Sequence, residues 1–151
     1  MKKLFMTIPA TILVLFVFLG VKCVKEDVKP SSGSFTIEVT GDSIMTVTLG
    51  ETGEFSFKIR NLTDYGDSVT VDVPQGLNEL PEQWLWQLCI EGMCLLPGNP
   101  ATVFVPAKGS YDYLALHIVT YEEGAEGRVT IEVRGIGNDV KWQTFILKIT
   151  P

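Results

Sequence analysis

The chain is poor in the residues that carry most enzyme chemistry. Its 151 residues include one histidine, His117, and three cysteines. No G-x-S-x-G nucleophile elbow occurs, and a Ser-His-Asp site would need His117 beside Ser68 or Ser110 and Asp112. There is no glycine-rich phosphate loop and no D-x-D-x-D-G run of the EF type. Two thiolates with a single histidine elsewhere are half a zinc site, so no metal is expected. The reading is therefore no catalytic residue, no cofactor and no enzyme. Positive charge is scarce as well, with 12 Lys and Arg against 18 Asp and Glu. Lys2, Lys3 and Lys22 fall in the first 23 residues, where there is no acid, which leaves nine basic residues against 18 acidic ones in the remainder. Such a surface repels phosphate backbones and anionic lipid heads, which excludes nucleic acid as a partner and limits membrane contact to residues 1–23. No helix-period segment lies between the later strands, so a parallel α/β sheet is excluded too.

What is present begins with Met1-Lys2-Lys3 and an uncharged run from Leu4 to Val21. Basic residues ahead of an apolar stretch form the pattern of an export signal. The run sits at the boundary between a long signal core and a short membrane-spanning helix. Residues 1–23 are thus a signal peptide or a membrane anchor. Cys23 is a candidate for lipidation, although Lys22 stands where a lipoprotein box needs a small residue. Residues 24–34, VKEDVKPSSGS, read as a linker. Each of these readings places the remainder outside the cytoplasm: extracellular, periplasmic or tethered facing outward.

From Phe35 onward, strand follows strand. Phe35, Ile37 and Val39 alternate with polar residues. Phe55, Phe57 and Ile59 share one face of EFSFKIRN. Val69, Val71 and Val73 repeat the pattern, as do Val103 and Val105. Leu114, Leu116 and Ile118 alternate with Tyr113, Ala115 and His117. Val129, Ile131 and Val133 precede a closing strand with Phe145, Leu147 and Ile149. Seven to nine short strands, with turn signals between them, make an all-β antiparallel sandwich of residues 35–151. Trp84 and Trp86 fall on one face of a further strand, and a long middle crossover favours two packed sheets over a closed barrel.

Cys89 and Cys94 enclose Ile-Glu-Gly-Met, with a glycine turn at its centre. In an oxidising compartment this pair forms a disulfide. Leu80-Pro81-Glu82-Gln83-Trp84, then Leu88-Cys89 and Cys94-Leu95-Leu96-Pro97, resemble a pattern in immunoglobulin-like domains of secreted bacterial or archaeal proteins. Such domains accompany extracellular glycosidases and cell-surface proteins. The resemblance extends to Glu54–Asn61 with its polar turn, Pro106–Ser110 and Gly124–Val133. It implies an immunoglobulin-like sandwich, and it leaves function open among spacers, packing modules and binding modules.

Several residues are left for binding. The expected function is a non-catalytic exported module that acts by contact with a protein or polysaccharide. The alternative is a carbohydrate-binding module with Trp142 and Trp86 as its stacking surface. A surface row of aromatics would favour that alternative, and burial of the tryptophans would count against it. An enzyme gains weight only if His117 shares a cleft with a carboxylate. Glu122, Glu123 and Glu126 read as a solvated acidic loop, and Asn61-Leu62-Thr63 matches a glycosylation acceptor.

Overall fold

The computed structural model describes residues 33–121 and 126–150. The signal or anchor reading of residues 1–23, Cys23 with its lipidation, the linker as far as residue 32, and Glu122 and Glu123 lie outside the described residues.

Ten strands follow one another: β1 (Phe35–Thr40), β2 (Ile44–Val47), β3 (Thr52–Asn61), β4 (Asp67–Asp72), β5 (Leu85–Ile90), β6 (Met93–Cys94), β7 (Ala101–Val105), β8 (Ser110–Val119), β9 (Glu126–Gly135) and β10 (Asp139–Ile149). Nine correspond to alternating segments of the sequence, β2 among them through Ile44 and Thr46 against Met45 and Val47. The tenth, β6, is two residues long and too short to display a period. A 3-10 turn at Gln75–Leu77 is the sole helical element among the described residues.

The strands form two sheets of five. Sheet I has the order β1-β3-β8-β5-β6, and sheet II the order β2-β10-β9-β4-β7. This is the expected sandwich, with one correction: the sheets are not wholly antiparallel. β2 runs parallel to β10, with Ile44 opposite Ile146 and Val47 opposite Ile149. The three residues between β1 and β2 carry the chain from sheet I to sheet II instead of reversing it into a hairpin. The incoming segment thereby stitches both sheets together.

The period-2 pattern decides which face is dry. In β3 the buried positions are Gly53, Phe55, Phe57, Ile59 and Asn61, alternating with polar residues. Leu114, Leu116 and Ile118 of β8 face the same way, and Val129, Ile131, Val133, Phe145 and Leu147 of sheet II face them. Phe145 reaches across between Phe55 and Phe57, with ring centroids 5.1 and 5.7 Å away. Trp84 and Trp86 also join this core.

The β9–β10 turn is tight. Gly135, Ile136, Gly137 and Asn138 all have positive φ. At Gly135 a Cβ would stand 2.6 Å from the Ser68 carbonyl, so only glycine fits this approach to β4. Ile136 nevertheless plugs the end of the core, fully buried. The turn is clamped to the start of β1. The Ser34 amide and hydroxyl both donate to Asp139 Oδ2, at 2.6 and 2.9 Å, and the hydroxyl also reaches the Ile136 carbonyl. The Ser34 amide, followed by its hydroxyl, holds the Asp139 carboxyl below the usual range. A depressed carboxyl contributes stability that is present above its unfolded value, about 3.9, and lost as pH falls through the folded value. Wild type is therefore expected to lose stability faster than Ser34→Ala below about pH 4, as measured by denaturant midpoints along a pH series. Equal slopes for the two proteins would rule out the Ser34 hydroxyl as a source of acid sensitivity.

Candidate functional site

The outer face of sheet I carries the most concentrated chemistry. Inward-facing Trp86, Leu88 and Ile90 leave Leu85, Gln87 and Cys89 of β5 on the outside. On β8 the outward set is Tyr113, Ala115, His117 and Val119, and on β3 it includes Glu54 and Ser56. The register then builds rows across the sheet. Glu54 lies opposite His117 and Ser56 opposite Ala115 in the β3–β8 ladder. Gln87 lies opposite His117, and Cys89 opposite Ala115, in the β5–β8 ladder. Cys94 closes the second row by pairing with Cys89.

Ser56 and Ala115 are small, so the middle of this face is a floor with taller neighbours around it. The result is a shallow depression of about 350 Å³ lined by Glu54, Cys89, Glu91, Asp112, Tyr113 and His117 among others. Three carboxylates on its rim give it a negative field suited to cations and basic groups. Glu91 is held by the Tyr111 hydroxyl, which donates to its Oε1 at 3.0 Å. Burial, followed by that bond to Glu91, pushes the Tyr111 phenol up.

Cys89 and Cys94 are joined as a disulfide, their Cα atoms 3.9 Å apart. The β5–β6 turn uses Glu91 and Gly92, both at positive φ, as a two-residue hairpin of the primed type requires. His117 lies against the bridge. Its Nδ1 is 3.5 Å from Cys89 Sγ and 3.7 Å from Cys94 Sγ. Its Nε2 is 3.6 Å from Glu54 Oε2. The single histidine lies far along the chain from the two cysteines, and only the strand order β8-β5-β6 brings it to their bridge.

His117 thus shares a cleft with carboxylates, the condition set for an enzyme. The rest of a hydrolytic site does not follow. Both imidazole nitrogens are engaged, one by the sulfurs and the other by Glu54, and Ser56 forms no hydrogen bond with either. Ser68 lies on β4 in the other sheet, so it cannot serve His117. Asp112 does line the depression.

The aromatic candidates separate. Trp86 is drawn into the core beside Trp84, on the inner face with Leu88, and this overturns its reading as a stacking surface. Only its margin, with Leu80 and Pro97, borders a second shallow cleft of about 270 Å³. Trp142 is 57% exposed on the outer face of sheet II. Its indole N–H donates to Glu132 Oε2 at 2.9 Å, directly across the β9–β10 ladder. Arg134 pairs with the same carboxylate. The Arg134 guanidinium, then the indole, holds Glu132 below the usual carboxylate range despite its burial. Phe104 is also exposed, but it sits on β7, separated from β10 by β9 and β4. Tyr113 belongs to the opposite face of the sandwich. Tyr113 stacks edge-to-face with Tyr111 there, with ring centroids 6.0 Å apart, so among the described residues no aromatic row extends from Trp142.

Asn61, the glycosylation candidate, is buried and fully engaged. Its Nδ2 donates to the carbonyls of Tyr65 (2.7 Å) and Val105 (3.3 Å), and its Oδ1 accepts from the Thr63 amide and hydroxyl, both at 2.8 Å. In the folded domain it is a structural peg.

No protein-family model and no curated protein matches the chain. Solved structures do. The N-terminal domain of PorA superposes with a TM-score of 0.53 at 21% identity, covering 77% of this chain and 97% of that one. A family 123 glycoside hydrolase from Clostridium perfringens gives 0.51 at 9% identity, covering 77% of this chain but 27% of the hydrolase. A lipoprotein from Bacteroides thetaiotaomicron gives 0.48 at 16%, covering 76% and 78%. At such identities the likeness concerns the fold: an immunoglobulin-like all-β sandwich.

Proposed function

We propose that this chain is an exported, non-catalytic module that acts by contact with a protein partner, through the β5–β6 edge of sheet I. The observation that carries the reading is the apolar character of that edge. Leu85, Met93 and Leu96 are 51%, 71% and 71% exposed. β6 pairs with β5 only at Cys89–Cys94 and Ile90–Met93, so Leu85 to Gln87 lack a ladder partner on that side among the described residues. An open edge flanked by exposed apolar side chains is a template for adding a strand or docking a segment. Export is supported by the apolar run behind Lys2 and Lys3 and by the Cys89–Cys94 disulfide, which belongs to an oxidising compartment.

Carbohydrate binding is the competing reading, and the exposure of Trp142 is what favours it. Photo-cross-linking separates the two. A photoreactive residue placed at Leu96 in the full chain, expressed in its own cells, is expected to yield one discrete protein adduct. The same probe at Trp142 is expected to yield none, and Leu85→Lys with Met93→Lys should abolish the Leu96 adduct. If Leu96 gives no adduct while Trp142→Ala releases the protein from a soluble polysaccharide matrix, the edge reading fails and the carbohydrate reading replaces it.

A further inference from the structure

The depression on sheet I holds a second arrangement that its disulfide conceals. We infer that, once the Cys89–Cys94 bridge is reduced, Cys89 Sγ, Cys94 Sγ and His117 Nδ1 form a three-ligand site for a thiophilic d10 cation, Zn²⁺ or Cu⁺.

The three donor atoms already lie within 4.8 Å of one another. A tetrahedral zinc with bonds of about 2.3 Å to sulfur and about 2.05 Å to nitrogen sets its sulfur and nitrogen ligands about 3.6 Å apart. The two sulfur–Nδ1 distances here are 3.5 and 3.7 Å. One distance alone has to change: the sulfurs must part to about 3.8 Å, the spacing of two thiolates on one zinc. Cys94 is exposed and sits on the outermost strand of sheet I, so its side chain has room to rotate. The backbone does not need the bridge to hold the ligands together. The Glu91-Gly92 turn and the β5–β6 pairing keep Cys89 opposite Cys94.

The surroundings fit a metal-bound imidazole as well. Such a histidine usually donates its other ring N–H to a carboxylate, which fixes the tautomer and strengthens the ligand. Glu54 Oε2 stands 3.6 Å from Nε2, just beyond hydrogen-bond distance, and a small rotation of this exposed side chain would bring it into that place. The depression opens to solvent over the cluster, so a water or a partner's donor can take the fourth position.

The redox step balances with an external dithiol. Its thiolate attacks Sγ of the exposed Cys94, and the Cys89 sulfur leaves beside His117. The second thiol of the reductant then resolves the mixed disulfide. Two electrons and two protons pass to the pair, and the reductant departs as its disulfide. Binding of the cation displaces the two thiol protons. The bridge thus acts as a cover, and the compartment's redox poise decides whether the cation can bind.

The test uses the full chain in detergent with Cys23→Ser, so that the pair supplies the only thiols. The protein is reduced with a phosphine under anaerobic conditions, freed of reductant, and titrated with Zn²⁺ and separately with Cu⁺ against chromophoric chelators. The expected result is one equivalent of at least one cation in the reduced protein and none in the oxidised protein. Cys94→Ser should abolish binding, His117→Ala should weaken it at least tenfold, and Glu54→Gln should weaken it about 10- to 100-fold. Long-range ¹H–¹⁵N spectra of the imidazole supply a readout independent of the variants: Nδ1 should shift on metal addition while Nε2 stays protonated. Binding no tighter than in Cys94→Ser, or an unmoved Nδ1 resonance, overturns the site.

Discussion

Replacing Phe145 with alanine lowers the unfolding free energy of the sandwich by about 3–5 kcal/mol, the range for a phenylalanine removed from a packed core. The ring has no exposure and lies between Phe55 and Phe57, which belong to the opposing sheet. Truncation therefore empties the seam where the two sheets meet, and no flexible neighbour can fill it: the adjoining side chains are strand residues held by ladders on both sides. Phe104→Ala supplies the contrast. That ring is equally large but mostly exposed on the outer face of sheet II, so its loss costs under about 1 kcal/mol. Urea unfolding decides between these expectations. The Phe145→Ala midpoint should fall by about 2–3 M at an unchanged slope near 1.5 kcal/mol/M. A fall similar to that of Phe104→Ala would mean that the sheets do not depend on this contact.

The same alternation that buries Phe145 made the fold legible. In β3 the apolar Phe55, Phe57 and Ile59 alternate with polar residues, and Leu114, Leu116 and Ile118 of β8 and Phe145, Leu147 and Ile149 of β10 keep the same spacing, so both the strand and its dry face follow from the chain. β6 escaped because two residues carry no period. The parallel β2–β10 pair escaped for a different reason: alternation is local and says nothing about which strand a segment meets. The fate of Trp86 shows the limit of residue type as a guide. An indole serves a core or a sugar platform equally well, and the phase it shares with Leu88 is what places it inside.

The candidate site was legible only in its parts. The cysteine spacing around Glu91-Gly92 marked a hairpin bridge, because both ends of a two-residue turn face the same way. Nothing in the spacing linked that bridge to His117, 23 residues further along. That contact depends on β8 lying between β3 and β5, a property of topology. The acidic rim is assembled in the same way, with Glu54 from β3, Glu91 from a turn and Asp112 from β8. Clusters drawn from several strands are where reading along the chain falls short, since each member looks like an ordinary surface residue in its own segment.

Asn61→Asp is expected to destabilise the fold by at least about 3 kcal/mol at neutral pH, more than Asn61→Ala, although aspartate is the closer match in shape. The wild-type amide uses both of its ends. Its oxygen accepts from Thr63, and aspartate preserves that. Its nitrogen donates to the carbonyls of Tyr65 and Val105, and aspartate sets an anionic oxygen against both. The position is 1% exposed, so water cannot relieve the repulsion. Alanine merely removes the amide's bonds, and the Tyr65 carbonyl keeps the Thr63 hydroxyl as a donor at 2.8 Å. The pH dependence discriminates further. Burial and the facing carbonyls raise the pKa of the new carboxyl in the folded state, so the native protein binds its proton more readily than the unfolded chain does. The deficit relative to wild type is then full above the folded pKa and shrinks as pH falls from there toward about 3.9, the unfolded value. For Asn61→Ala the deficit stays constant over that interval. Chemical denaturation of the three proteins between pH 4 and 8 tests both statements. Parallel pH curves for the two variants would mean that the amide nitrogen is not what Asn61 contributes. The same bonds bear on the acceptor motif: a glycan on Nδ2 would displace them, so folded protein is expected to carry none at Asn61, as an intact mass would reveal.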